Sequence, residues 1–289
     1  MSDKLLAKNA FFSFVKAFLT LFFPLISFPY ASRILMPEGI GKVNFAISTV
    51  SYFTMLSNLG ITSYATRECA KYKNNKIELR KNDIILFQGD SITDHGRSRD
   101  RLGPNDLDAM GKGYAAHAAR TLLHKHASKD LQIYNRGISG HKVPQLIERW
   151  QKDCLDIKPN VLSILIGVND YWHKRNGNYN GSAAEYKSQY QKMLDLTLQH
   201  LPHVKLIIGE PFGVKDVQHV DNSWYPEFGD YQRVSKEIAT EYKAVFIPYQ
   251  SIFDKAGKEA DGKYWAYDGV HTSMAGISLM AESVLQCFK

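Results

Sequence analysis

A Gly-Asp-Ser tripeptide at 89–91 follows the apolar run Ile84-Ile85-Leu86-Phe87, and an Asp-Gly-Val-His block stands at 268–271 near the C-terminus. A serine hydroxyl is a weak nucleophile at neutral pH and needs a base within hydrogen-bond reach. His271 is the candidate base, able to take the Ser91 proton and return it to a leaving group. Asp268, three residues earlier, can accept from the other ring nitrogen and hold the productive tautomer. Alone, Ser91 reads equally well as a helix N-cap, and His271 and Asp268 as loop residues. Together they have the residue types of a serine hydrolase.

Such chemistry needs donors for a developing negative oxygen. Ser91 sits where a strand turns into a helix, so its own N–H is free to donate. Gly137, in Asn135-Arg136-Gly137-Ile138-Ser139-Gly140, lets backbone approach a substrate closely. Asn169, in Gly167-Val168-Asn169-Asp170, offers a side-chain amide. Read without context, each of these is a turn residue. The candidate substrate-binding residues are Asp90, Asp94 and Arg97 around the nucleophile, Asp170 and Trp172 after Asn169, and Trp265 before the base. Aromatic and polar side chains of this kind suit a sugar or another polar ester. The loop 176–181, Asn-Gly-Asn-Tyr-Asn-Gly, could cover the site. Cys69, Cys154 and Cys287 are an odd number with no CxxC, which gives neither a disulfide framework nor a zinc site. Buried thiols are expected.

These residues must be carried by a scaffold. Strand-like runs at 84–87, 131–135, 161–166, 205–209 and 244–248 alternate with helical patterns near 112–126, 142–154, 183–200, 230–242 and 274–287. That alternation predicts an α/β domain over 82–289 with a central parallel sheet covered on both faces. Active sites in such folds lie beyond the carboxyl ends of the strands. Each motif above falls at a strand end.

Residues 1–81 are of another kind. They hold 11 Lys/Arg and 4 Asp/Glu, whereas 82–289 hold 25 of each, so the whole net charge of +7 belongs to the N-terminal segment. A neutral C-terminal domain gives no electrostatic case for nucleic acid. The stretches 10–31 and 43–66 are apolar enough to read as an N-terminal two-helix hairpin joined by Met36-Pro37-Glu38-Gly39-Ile40-Gly41. Each has the length of a membrane span, so membrane association through residues 10–66 is expected. A hairpin packed in water on the other domain is the plainer alternative. By the positive-inside rule both ends, and the catalytic domain with them, would face the cytoplasm.

Two resemblances follow from these residues. The stretches 8–12, 28–35, 39–46, 58–61 and 65–68 resemble the N-terminus of bacterial polysaccharide flippases, but only their first two helices, so transport is not implied. The ordered blocks Gly-Asp-Ser, Asn-Arg-Gly, Gly-x-Asn-Asp and Asp-x-x-His resemble the SGNH (GDSL) hydrolase family over about 70% of the chain. That resemblance implies a flavodoxin-like α/β/α sandwich and ester hydrolysis through an acyl-enzyme, without cofactor or metal. It carries the nucleophile to Ser91, the oxyanion donors to Ser91, Gly137 and Asn169, the base to His271 and the orienting carboxylate to Asp268. His271-Thr272-Ser273 departs from the His-Pro-Thr of many relatives, which affects the loop rather than the chemistry.

The expected function is a serine esterase of short acyl esters, with O-acetyl esters of carbohydrate as the preferred class. Lysophospholipase or thioesterase activity on the same fold, and a flippase fragment with an incidental C-terminal domain, are the alternatives. The expected partner is a small-molecule or saccharide ester.

Overall fold

A computed structural model describes residues 18, 22–23, 28–30, 33–52 and 76–289. By internal contacts the chain divides into two units, Met1–Ala70 and Lys71–Lys289.

In the first unit, residues 33–52 are helical. The helix–helix connection expected at 36–41 coincides with a break at its first residue, Met36, while residues 37–41 are helical. The interruption is confined to Met36, whose φ is 53°. Pro37 follows it, and a proline needs no N–H in the first turn of a helix. The apolar side chains of Phe45, Ile47 and Tyr52 are exposed. Among the described residues no helix is long and apolar enough to cross a membrane. Most of 10–31, and all of 53–66, lie outside the described residues.

The second unit is built on five parallel strands: β1 (Ile84–Gly89), β2 (Gln132–Asn135), β3 (Val161–Leu165), β4 (Lys205–Gly209) and β5 (Val245–Ile247). Their order is β2-β1-β3-β4-β5, the flavodoxin-like arrangement. All five residues of β3 are buried, as a strand covered on both faces requires. The chain leaves β1 toward β2 and then crosses back to β3. Right-handed crossovers therefore place the connecting helices on opposite faces. On one face α3 (Tyr114–Lys125) packs with α10 (Met274–Leu285); the other groups α4 (Val143–Glu148), α6 (Ala183–His200) and α7 (Glu227–Glu241). Ile77 and Leu79 join this core, and Ile77 bridges Phe288.

The helix expected over 142–154 stops at Glu148 and resumes as a wider turn, Gln151–Leu155. Arg149 explains part of this, since its guanidinium reaches Gln88, the Arg136 carbonyl and Asp153. The helix expected to open at Ser91 is the short α1 (Ser91–Asp94); α2 (Leu107–Met110), α5 (Val168–Arg175), α8 (Tyr249–Ala256) and α9 (Gly262–Trp265) have no counterpart among the expected helices. Cys154 and Cys287 are free and buried; Cys69 lies outside the described residues.

Candidate active site

The site lies at the carboxyl ends of β1 and β3, where the strand order switches direction. Gly89 ends β1 in a space that admits no side chain. A Cβ there would stand 2.3 Å from the Leu165 carbonyl oxygen and 2.3 Å from Thr93 Oγ1. Asp90 caps α1 by accepting the Ile92 N–H at 3.0 Å. Ser91 is thus the first residue of α1, and its N–H has no partner within that helix.

His271 and Asp268 come from a tight turn closed by the Ala266–Thr272 bridge and by the Tyr267 N–H donating to the His271 carbonyl at 3.1 Å. Gly269 makes the turn possible. Its φ is 94°, and a Cβ would meet Val220 Cγ2 at 2.7 Å and the Val217 carbonyl oxygen at 2.8 Å. From this turn His271 Nε2 lies 2.9 Å from Ser91 Oγ, and His271 Nδ1 lies 2.6 Å from Asp268 Oδ2. Asp268 Oδ1 also accepts the N–H groups of Val270 and His271 at 2.9 and 2.7 Å. Burial would raise the Asp268 pKa, but these bonds outweigh it and hold the carboxyl at about 2. The bond to Asp268 raises the His271 pKa above its ordinary value, against a smaller opposing effect of burial.

The other two expected donors are near but differently engaged. Asn169, on α5, is buried and donates through Nδ2 to the His141 carbonyl at 3.2 Å. An amide nitrogen has two hydrogens, so one remains for a ligand. The Gly137 N–H donates to Asn135 Oδ1 at 2.9 Å. Asn135 is itself held by donating to the carbonyls of Thr93 and Met110. What the structure requires of Gly137 is space: a Cβ would stand 2.4 Å from the Asp94 nitrogen.

Four of the six candidate substrate-binding residues are buried and engaged within the protein. Asp90, Asp94, Arg97 and Asp170 are all buried. Asp94 accepts from the backbone and hydroxyl of Ser139 and from Arg99, which hold its pKa low although burial opposes them. Arg97 donates through Nε to the Gly137 carbonyl at 2.6 Å. Asp90 and Asp170 each bond through one oxygen, to the N–H of Ile92 and of Val143, while Oδ2 is buried without a partner. Burial raises both carboxyls to about 7. Trp172 is half-buried between His219 and Trp224, and Trp265 is half-buried against Tyr264. Tyr267 is 57% exposed and stacked over His271 with centroids 5.9 Å apart.

His141 and Lys142, which directly follow the Asn135–Gly140 block, were not among the residues expected at the site; their adjacency to that block was the available signal. Among the described residues no three His, Cys, Asp or Glu side chains gather as a metal-binding group.

Comparison with known proteins agrees with this architecture. Residues 87–278 match the GDSL-like lipase/acylhydrolase family, and residues 6–88 match a polysaccharide biosynthesis protein family. An acetylxylan esterase of Geobacillus stearothermophilus is 32% identical over 73% of this chain and 95% of its own length. A solved structure of that esterase superposes with a TM-score of 0.64 at 31% identity, over 73% of this chain and 96% of its own. A GDSL-like lipase from Parabacteroides merdae reaches a TM-score of 0.72 at 43% identity, over 73% of this chain and 98% of its own. The chain therefore belongs to the GDSL-like lipase/acylhydrolase family, and its second unit is a serine hydrolase of carboxylic esters.

Proposed function

We propose that the protein removes short acyl groups, acetyl above all, from saccharide esters, with Ser91 as nucleophile, His271 as base and Asp268 as its orienting partner. The observation that carries this reading is the continuous hydrogen-bonded relay Asp268–His271–Ser91 at the N-terminus of α1. His271 Nε2 accepts the hydroxyl proton as Ser91 Oγ attacks the acyl carbonyl. The negative oxygen is received by the Ser91 N–H and the Asn169 amide, in a site where fixed donors stabilise developing charge. The imidazolium passes its proton to the departing alcohol, leaving an acyl-enzyme. Water then attacks that ester with His271 again as base, and collapse releases the carboxylic acid and restores the serine.

The acetyl preference draws on the acetylxylan esterase relative. Solved forms of that enzyme described as catalytic mutants change a serine, an aspartate and a histidine, the last two three positions apart. Asp268 and His271 have the same spacing. The test is a nitrophenyl ester series together with acetylated xylo-oligosaccharides. Turnover highest on acetyl is expected; a preference for chains of eight carbons or more overturns the reading. Fluorophosphonate labelling mapped by mass to Ser91, and abolished in Ser91→Ala, tests the nucleophile separately.

For the first unit, membrane attachment rests on the apolar stretches 10–31 and 43–66. Membrane fractionation with protease protection of the second unit decides it. Recovery of the full chain in the aqueous fraction removes that role.

A further inference from the structure

Lys142 is a buried cation with no carboxylate within ion-pair distance among the described residues. Its backbone is held on both sides: the His141 carbonyl accepts from Asn169 Nδ2 at 3.2 Å, and the Val143 N–H donates to Asp170 Oδ1 at 3.1 Å. Main-chain contacts on both sides of Lys142 therefore tie it to the Asn169–Asp170 pair. The residue is only 7% exposed. Its ammonium lies 3.5 Å from His173 Nδ1 and 5.0 Å from the centre of the Tyr179 ring. Tyr179 belongs to the 176–181 loop expected to cover the site. No Asp or Glu comes within ion-pair distance of Lys142 among the described residues. A ring face compensates a desolvated charge only in part.

The neighbouring imidazoles add donors rather than acceptors. An ammonium or a guanidinium can only donate. His173 Nδ1 faces the Lys142 ammonium, and His141 Nδ1 accepts from Arg149 Nε at 3.3 Å. Each ring must then carry its proton on Nε2, leaving Nε2–H as the free polar group. Burial and the adjoining cations keep both rings neutral: His141 is lowered to about 4, first by burial and then by Arg149, Arg99 and Lys142, and His173 is lowered by burial and Lys142. The surroundings of Lys142 thus offer a positive charge and N–H donors; the carboxyl it acts on at longer range, Asp170, is beyond ion-pair distance and is itself raised to about 7 by burial, so it balances that charge only in part. Removing a buried partner of a charged group is costly, and supplying one to an unpaired charge is correspondingly favourable.

We propose that Lys142, with His173 and Tyr179, forms a subsite beside Asn169 for the negatively charged group of an acidic saccharide ester, such as the carboxylate of an acetylated uronic-acid chain. This rests on the esterase reading above and names the alcohol side of its substrate. The subsite would select saccharides by charge, while Ser91 and Asn169 act on the acyl group.

The experiment compares acetylated glucuronate-bearing oligosaccharides, acetylated neutral xylo-oligosaccharides and nitrophenyl acetate, in the wild type, Lys142→Met and Lys142→Arg. The wild type is expected to favour the acidic ester in kcat/KM, with the preference weakening at high salt. Lys142→Met should lower kcat/KM on the acidic ester about tenfold more than on nitrophenyl acetate, mainly through KM. Lys142→Arg should recover part of the difference. Free glucuronate, but not xylose, should inhibit nitrophenyl acetate hydrolysis by the wild type, a measurement that needs no variant to fold. Failure on all three esters would remove the esterase reading itself. Activity on nitrophenyl acetate with no preference for the acidic ester, or with equal inhibition by glucuronate and xylose, overturns the subsite alone. So does an equal loss in Lys142→Met on every ester.

Discussion

Asp268 grips His271 twice: Oδ2 meets the ring at Nδ1, 2.6 Å away, and Oδ1 accepts the backbone N–H of the same residue at 2.7 Å. One carboxylate thus sets both where the imidazole sits in the chain and which ring nitrogen carries the proton. With Nδ1–H committed to Asp268, Nε2 is left as the acceptor facing Ser91 Oγ at 2.9 Å. The turn 266–272 that holds both residues closes on itself, so their geometry is local.

Asp268→Asn should therefore preserve the fold and lose catalysis. An amide in this place turns the wrong tautomer of His271 toward Ser91, and kcat on nitrophenyl acetate is expected to fall about 10⁴-fold. Retention of more than a tenth of the wild-type kcat would remove Asp268 from the relay.

The pH profile follows from the direction of the His271 shift. The base must be neutral to accept a proton, and its pKa lies above the ordinary value, about 6.5. The acidic limb of kcat/KM should therefore rise through a pH above that of a free imidazole. Asp268→Asn should move the limb downward, as residual activity measured across pH would show.

Asn169→Ala removes one donor to the developing oxyanion. Loss of such a group typically costs about 10²–10³ in kcat with little change in KM. Steady-state kinetics on nitrophenyl acetate tests this; a change confined to KM would make Asn169 a substrate contact instead.

Gly137→Ala tests packing rather than donation. The new methyl would lie 2.4 Å from the Asp94 nitrogen and 2.7 Å from the Thr93 carbonyl carbon, both of them backbone that has little room to give. A destabilisation of about 1–3 kcal/mol is expected, read as a lower denaturant midpoint, with activity falling alongside it.

Asp90 and Asp170 make stability depend on pH in an uncommon sense for carboxyls. Burial raises each to about 7 in the folded chain, above an unfolded value of about 3.9. The folded chain therefore holds these two protons more tightly than the unfolded chain does. Their contribution is fully present below the unfolded pKa and is lost as pH rises through about 7. Asp268 acts oppositely: held at about 2, it stabilises above pH ~4 and loses that contribution as the pH falls through 2. The urea midpoint of Asp170→Asn should fall less than that of the wild type between pH 5 and pH 8. Parallel curves would refute the burial argument.

Much of this protein could be read from its residues in order. The alternation of apolar strands and amphipathic helices predicts a parallel sheet, because strands covered on both faces are mostly apolar, as β3 is apart from Ser163. Ser91, Asn169, Asp268 and His271 announce themselves because each sits in a short block whose turn chemistry is local. The reach of those blocks toward one another is not local. Ser91 and His271 are 180 residues apart, and it is the parallel sheet, with the carboxyl ends of all strands on one side, that brings their loops to the same end. Burial was equally beyond the linear reading. Asp90, Asp94, Arg97 and Asp170 look like polar lining beside a nucleophile, yet packing from α1, the 137–143 segment and α5 closes over them. A side chain's exposure depends on which distant segments cover it, and adjacency in sequence carries no information about that. For the same reason Lys142 was silent in the sequence and becomes an unpaired buried charge only once the chain is folded.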